Sequence, residues 1–253
     1  MPYVLVSVSD RVATITLNDP GRRNAINLAL NDELIGAIDE IEGRDDIGAI
    51  VVTGAPPAFC AGADLEDLKN SRHRESLGKI YAGFLRLANS SLPTVAAVNG
   101  AAVGAGMNVA LACDVILAAR SARFDTRFMQ IGIHPGGGHT WRLRRITDQQ
   151  TTMAMVLFGE PVDGERAAAM GLAWRCVDDD ALLDTATAMA ARAASFPREL
   201  TRRTKATILQ LDSVDSSEDA VAHELDPQAW SMDQPPFLEL VTKLQQQISR
   251  DKT

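Results

Sequence analysis

Three short apolar runs, Ala49–Gly54, Thr94–Val98 and Val115–Ala118, constrain this chain more than any other feature. None carries a charge, and the first ends on glycine. Such runs suit strands buried on both faces, which occur where helices cover a parallel sheet. The segments between them agree. Leu30, Leu34, Ile38 and Ile41 recur at spacings of three and four, which predicts a helix over Leu28–Ile41 with Asn27 as its N-cap. A second helical stretch spans about Glu75–Asn89, and Pro93 leads from it into the next strand. Strand, crossover helix and parallel strand make a right-handed βαβ unit. Before these units, Tyr3–Val8 and Val12–Leu17 alternate apolar and polar residues around Ser9-Asp10-Arg11, the pattern of a hairpin.

An apolar helix is expected to run to about Cys113, and Trp174–Val177 reads as a last strand. Everything after it is helical, divided at Pro197 and broken again at Pro235-Pro236. The expected organisation is an α/β core over residues 1–195 and a helical region over 196–253. Helices that cannot bury their apolar faces on their own core usually bury them in an oligomer. Neither an internal repeat nor a low-complexity segment is found.

Composition narrows the function. Among 253 residues, 46% are hydrophobic and 23% charged, which is ordinary for a soluble globular chain and excludes disorder. The net charge of −8 argues against nucleic acid as a partner, because neutralising phosphates needs a basic surface. Cys60, Cys113 and Cys176 sit among apolar or small residues without metal-ligand spacing, so they read as reduced thiols of an intracellular protein. No signal peptide and no bilayer-length apolar run is seen, so a cytoplasmic location away from membranes is expected.

Two small-residue loops follow predicted strands, where ligands of open α/β sheets sit. In Ala58–Leu65, Gly62 can take a positive φ, and Asp64 can cap a short helix while N–H groups near Ala63 point outward. A tight connection without a ligand fits the same residues. Asn99–Asn108 is glycine-rich but lacks the GxGxxG spacing of a dinucleotide site. Together the loops can direct two main-chain N–H groups at one oxygen, and each such donor lowers a barrier by about 3–4 kcal/mol. A third segment, Ile131–Trp141, carries three glycines between His134 and His139 and opens a helix with Arg142, Arg144 and Arg145. Five residues apart across a bend, these histidines do not suit metal ligation, and no metal site is expected.

The motifs in this order resemble the crotonase, or enoyl-CoA hydratase/isomerase, family. They are Asn18-Asp19-Pro20 with Arg23–Asn27, then Ala58–Leu65, Asn99–Gly106 and Ala112-Cys113-Asp114, followed by Gly132-Ile133, Pro135-Gly136-Gly137 and Met170-Gly171-Leu172. The resemblance implies an α/β spiral of ββα turns with a C-terminal helical region that forms a homotrimer or a dimer of trimers. It implies an acyl-CoA or enoyl-CoA thioester as substrate, with coenzyme A present as part of that thioester and no separate cofactor. Ala63 and Ala105 fall where the family holds the thioester carbonyl. Ala61, Ala63 and Leu65 fall near the adenine, and Arg22 and Arg23 suit the CoA phosphates.

The two glutamates of the family's hydratases fall here on Asn108 and Phe128. Neither can transfer a proton, so hydration by the usual route is expected to be badly impaired. Asp125 and His139 are candidate substitutes, with Phe128, His134 and Gly136 at the acyl pocket. The readings left open are an acyl-CoA enzyme of hydratase or isomerase descent, a non-catalytic acyl-CoA carrier or regulator, and other enolate chemistry such as decarboxylation through Asp125 or His139.

Overall fold

The structure is a computed structural model that describes residues 1–71 and 73–250. By its internal contacts the chain forms two compact units, Met1–Ser195 and Phe196–Thr253. The first unit opens with the hairpin β1 (Val4–Ser9) and β2 (Val12–Leu17), followed by α1 (Leu28–Glu42), β3 (Ala49–Gly54), β4 (Ala58–Cys60), α2 (Leu65–Asn70) and α3 (Arg74–Ala88). Next come β5 (Thr94–Val98), β6 (Ala101–Val103), α4 (Ala105–Leu111), β7 (Val115–Ala119), β8 (Arg123–Asp125), α5 (His139–Ile146) and α6 (Gln149–Leu157). The unit closes with β9 (Val162–Asp163), α7 (Gly164–Ala169), β10 (Arg175–Val177) and α8 (Leu182–Ala194).

The long strands form one sheet in the order β1-β2-β3-β5-β7-β10, antiparallel only between β1 and β2. Every residue of β3 and β5 is buried, as the charge-free runs require. The strands of the second sheet, β4-β6-β8-β9, were implied by the family resemblance but not by any local pattern. They have two or three residues each, too few to show a period. Each of β3, β5 and β7 is followed directly by a strand of this small sheet, so the chain winds through both sheets turn after turn. That winding is the ββα spiral.

Local chemistry sets the element ends. Asn27 Oδ1 accepts the Leu30 N–H at 2.8 Å and starts α1, whose Leu30, Leu34, Ile38 and Ile41 are buried. Helix α4 stops at Leu111, two residues before the expected Cys113. There Asp114 turns back to the start of β5, donating its N–H to Thr94 Oγ1 at 2.8 Å and accepting the Thr94 N–H at 2.8 Å. Asn31 pins α1 to α3, donating to the carbonyls of Lys79 and Ile80 and accepting from Gly83 N–H. Arg86 of α3 also pairs with Asp39 at 2.7 Å and Glu42 at 2.6 Å.

The second unit holds α9 (Arg198–Gln210), α10 (Ser217–Met232) and α11 (Pro235–Arg250). The guanidinium of Arg203 stands 4.1 Å from the Trp230 ring centroid, and Pro227 lies inside α10 without ending it. Ile208, Leu209, Val221, Leu225, Leu238, Leu240, Leu244 and Ile248 are exposed. No helix among the described residues is long and apolar enough to cross a membrane.

Asn24 anchors the loop between β3 and α2. It is fully buried, with a φ of 58° that asparagine tolerates better than most residues. Its Nδ2 donates to the carbonyls of Ala55 and Ala58 at 2.8 Å, and its Oδ1 accepts the Asp19 N–H at 2.9 Å. Removing that amide leaves several buried main-chain groups without partners, at about 1–3 kcal/mol each. Asn24→Ala is therefore expected to lose at least about 3 kcal/mol in urea unfolding, whereas Gly36→Ala, exposed inside α1 with room for a Cβ, is expected to lose nothing.

Candidate active site

The two small-residue loops pack main chain against main chain. A Cβ on Gly106 would overlap the carbonyl oxygen of Cys60, and one on Gly62 would stand 3.0 Å from that of Val103. Gly62 also holds a φ of 110°, where a side chain is strained. Asn99 ties the loop origins together. Its Nδ2 donates to the Gly54 carbonyl at 2.7 Å, and its Oδ1 accepts the Gly54 N–H at 3.2 Å, so it bridges the ends of β3 and β5.

Beside these loops opens a cavity of about 820 Å³, large enough for a small-molecule ligand. Ala63 and Ala105 both line it. Among the described residues neither amide N–H has a partner within the chain. The neighbouring N–H groups of Ala61, Asp64 and Gly104 are instead taken by the carbonyls of Arg23, Ile26 and Asp125. Asp64 caps α2 by accepting from Glu66 and Asp67 N–H at 2.9 and 3.2 Å, as its position suggests.

Ala61 and Leu65 line the same cavity, and Leu65 is 71% exposed at its mouth. Arg22 also lines it, with its guanidinium 3.2 Å from Asp19 and 3.5 Å from Asp64. An anion arriving at Arg22 must compete with both carboxylates. Arg23 does not line the cavity. It is exposed, turns the chain with a φ of 52°, donates its N–H to the Pro20 carbonyl and accepts from Ala61 N–H. Phe128 and His134 are lining residues, and His134 is exposed with Nδ1 2.7 Å from the Pro135 carbonyl.

Asn108, Gly136 and His139 form one hydrogen-bonded unit. The Gly136 carbonyl can only accept, so Asn108 directs its Nδ2 there at 3.1 Å. Its Oδ1 then faces His139 Nδ1 at 2.8 Å, and that nitrogen carries the proton. His139 is 1% exposed, edge-on to the Phe128 ring at 4.9 Å, and its Nε2 has no partner among the described residues. Burial, reinforced by the nearby Arg142 charge, pushes its pKa down to about 4. His139 is thus a neutral support for the Asn108 amide and does not reach the cavity. Gly136 is likewise behind the wall, because the Tyr81 hydroxyl fills the space beside its Cα.

Asp125 does not reach the cavity either. Its carboxylate is 4% exposed and held by Arg127 through Nε at 3.1 Å and Nη2 at 2.5 Å. Arg127, with a φ of 56°, lines the cavity in its place. Burial pushes the Cys60 thiol up to about 12, so it is no nucleophile at neutral pH. Among the described residues no group of His, Cys, Asp and Glu is arranged to hold a metal ion.

The sequence model of the enoyl-CoA hydratase/isomerase family matches residues 7–229. The chain belongs to that family. A probable enoyl-CoA hydratase of Mycobacterium tuberculosis is 46% identical over 242 residues, covering 92% of this chain and 94% of that one. The 1,2-epoxyphenylacetyl-CoA isomerase of Escherichia coli is 37% identical over 204 residues, 78% of each chain. The solved enoyl-CoA hydratase of Bacillus anthracis superposes with a TM-score of 0.91 at 26% identity, covering 97% of this chain and 96% of that one. These likenesses identify the two-sheet spiral as the crotonase fold.

Tyr81 and Arg127 are among the cavity residues that sequence reasoning did not assign to the site. Arg127 adjoins Phe128 but belongs to no quoted motif. Tyr81 follows Leu77 and Ile80 on the cavity side of α3, and a phenol within an apolar stripe was the available signal.

His139 generates a pH prediction. Its folded pKa lies below its unfolded value of 6.5, so between pH 6.5 and about 4 the unfolded state binds the extra proton. Stability falls across that window as pH falls, by about 3 kcal/mol in total, and is untouched by this group above it. Unfolding in urea at pH 7 and pH 4.5 is expected to show a gap narrower by about 2–3 kcal/mol in His139→Gln than in the wild type. A second prediction concerns the loop contact. Gly106→Ala is expected to cost at least about 1–3 kcal/mol of stability by overpacking, read as a lower melting temperature.

Proposed function

We propose that the chain acts on acyl-CoA or enoyl-CoA thioesters, holding the thioester carbonyl oxygen between the main-chain N–H groups of Ala63 and Ala105. The observation that carries this reading is that Ala63 and Ala105 line one cavity and, among the described residues, neither amide N–H has a partner. Hydration and isomerisation, named for the relatives, both develop negative charge on that oxygen. Fixed donors in a water-poor site stabilise the charge without reorganising. Ala61, Ala63 and Leu65 lie where the adenine side of the ligand would rest, and Arg22 is the phosphate partner. CoA enters as part of the substrate.

The chemistry past the carbonyl departs from the family's hydratases. Asn108 and Phe128 stand where two glutamates serve proton transfer. Asn108 spends Oδ1 on His139 and one Nδ2 hydrogen on Gly136, which leaves one N–H to orient a polar group. Phe128 excludes water. The chain is therefore a poor hydratase that retains enolate stabilisation, and its exposed helical face supports assembly as a trimer or a dimer of trimers.

Calorimetry with crotonyl-CoA, together with loss of its conjugated absorbance, tests the reading. Binding is expected, with hydration lower by on the order of 10²–10⁴ for each missing glutamate than in a two-glutamate relative assayed alongside. Proline is tolerated at the first position of a helix and lacks an N–H. Ala105→Pro is thus expected to weaken crotonyl-CoA binding about tenfold and leave free CoA unaffected. No association of the wild type with crotonyl-CoA would overturn the reading. Tight binding without any turnover would leave the carrier function.

A further inference from the structure

The wall of the cavity carries a phenol that the proposed chemistry does not use. Tyr81 lies on α3, half-buried, with its ring 5.7 Å from that of Phe84. Its hydroxyl occupies the space beside Gly136, where a Cβ would overlap the phenolic oxygen. The Gly136 carbonyl accepts from Asn108, and Asn108 follows Ala105 by one turn of α4, about 5 Å along the helix. The phenol thus lines the same cavity as Ala105 and Asn108, on the side where Asn108 meets Gly136.

Among the described residues the Tyr81 hydroxyl has no hydrogen-bond partner. Burial raises its pKa, so it stays protonated and able to donate. Asn31 and Arg86 pin α3 against α1, which fixes the ring's position before any ligand arrives. A ligand that seals this hydroxyl against methylene groups strips its water and returns nothing. One that offers an acceptor oxygen replaces that water.

We propose that Tyr81 is a specificity-determining residue whose hydroxyl donates to an oxygen on the β-carbon of the acyl group, so that the cavity favours 3-hydroxyacyl-CoA over saturated acyl-CoA of equal length. The proposal rests on the CoA-thioester reading and adds the acyl class. Calorimetry with 3-hydroxybutyryl-CoA and butyryl-CoA tests it on the wild type, Tyr81→Phe and Gly136→Ala. The wild type is expected to prefer the hydroxy compound roughly tenfold, the scale of one hydrogen bond. Tyr81→Phe removes only the oxygen and is expected to abolish the preference while holding butyryl-CoA affinity within about a factor of two. Gly136→Ala displaces the phenol and is expected to reduce the preference in the same direction. An unchanged preference in Tyr81→Phe, or an equal loss for both thioesters, would overturn the assignment. Failure of both thioesters to bind the wild type would instead overturn the CoA reading and this proposal with it.

Discussion

Two loops in contact through their backbones support everything else in the first unit. Gly106 lies against the Cys60 carbonyl and Gly62 against that of Val103, with no side chain between them. The adjoining residues pair as β4 and β6. Asn24 and Asn99 satisfy the backbone groups that this close approach would otherwise leave buried and unpaired. An N–H group stabilises developing charge only if it cannot turn away when the charge forms. Here the sheet pairing and the buried amides hold the two loops that carry Ala63 and Ala105, as the proposed role of those N–H groups requires.

The wall beyond those donors is electrically quiet. His139 is neutral because burial disfavours its cation, and Asn108 is a neutral amide held between His139 and Gly136. Tyr81 is a neutral phenol for the same reason of burial. The charges lining the cavity include Arg22, Asp64, Glu66 and Arg127; Arg22 pairs with Asp19 and Asp64, and Arg127 with Asp125. Such a wall cannot move protons as a pair of carboxylates can. It can select what lies against it by shape and by hydrogen bonding.

Much of the fold was legible because burial writes itself into composition. The charge-free runs at Ala49–Gly54 and Thr94–Val98 are fully buried strands, and the stripe from Leu30 to Ile41 is the inner face of α1. Asn27 and Asp64 cap the helices they precede. The second sheet was not legible in any local pattern, since two or three residues make neither a period nor a run. At the site, small residues drew attention to the main chain of two loops, and the family resemblance singled out Ala63 and Ala105, which line the cavity. Asp125, His139, Gly136 and Arg23 were near the cavity in sequence but not on it. Asp125 is held by Arg127, His139 sits behind Asn108, Gly136 is covered by Tyr81, and Arg23 faces solvent.

Strand hydrophobicity, helix periodicity and the glycines at close approaches are local properties, and the order of residues alone determined them in this protein. The direction of each polar side chain was decided only by tertiary structure. A carboxylate, an imidazole or a phenol takes its charge state and its partner from groups distant in the chain. Tyr81 meets Gly136 across 55 positions, and His139 meets Asn108 across 31. No local pattern encodes such meetings, because they follow from how the turns of the spiral stack.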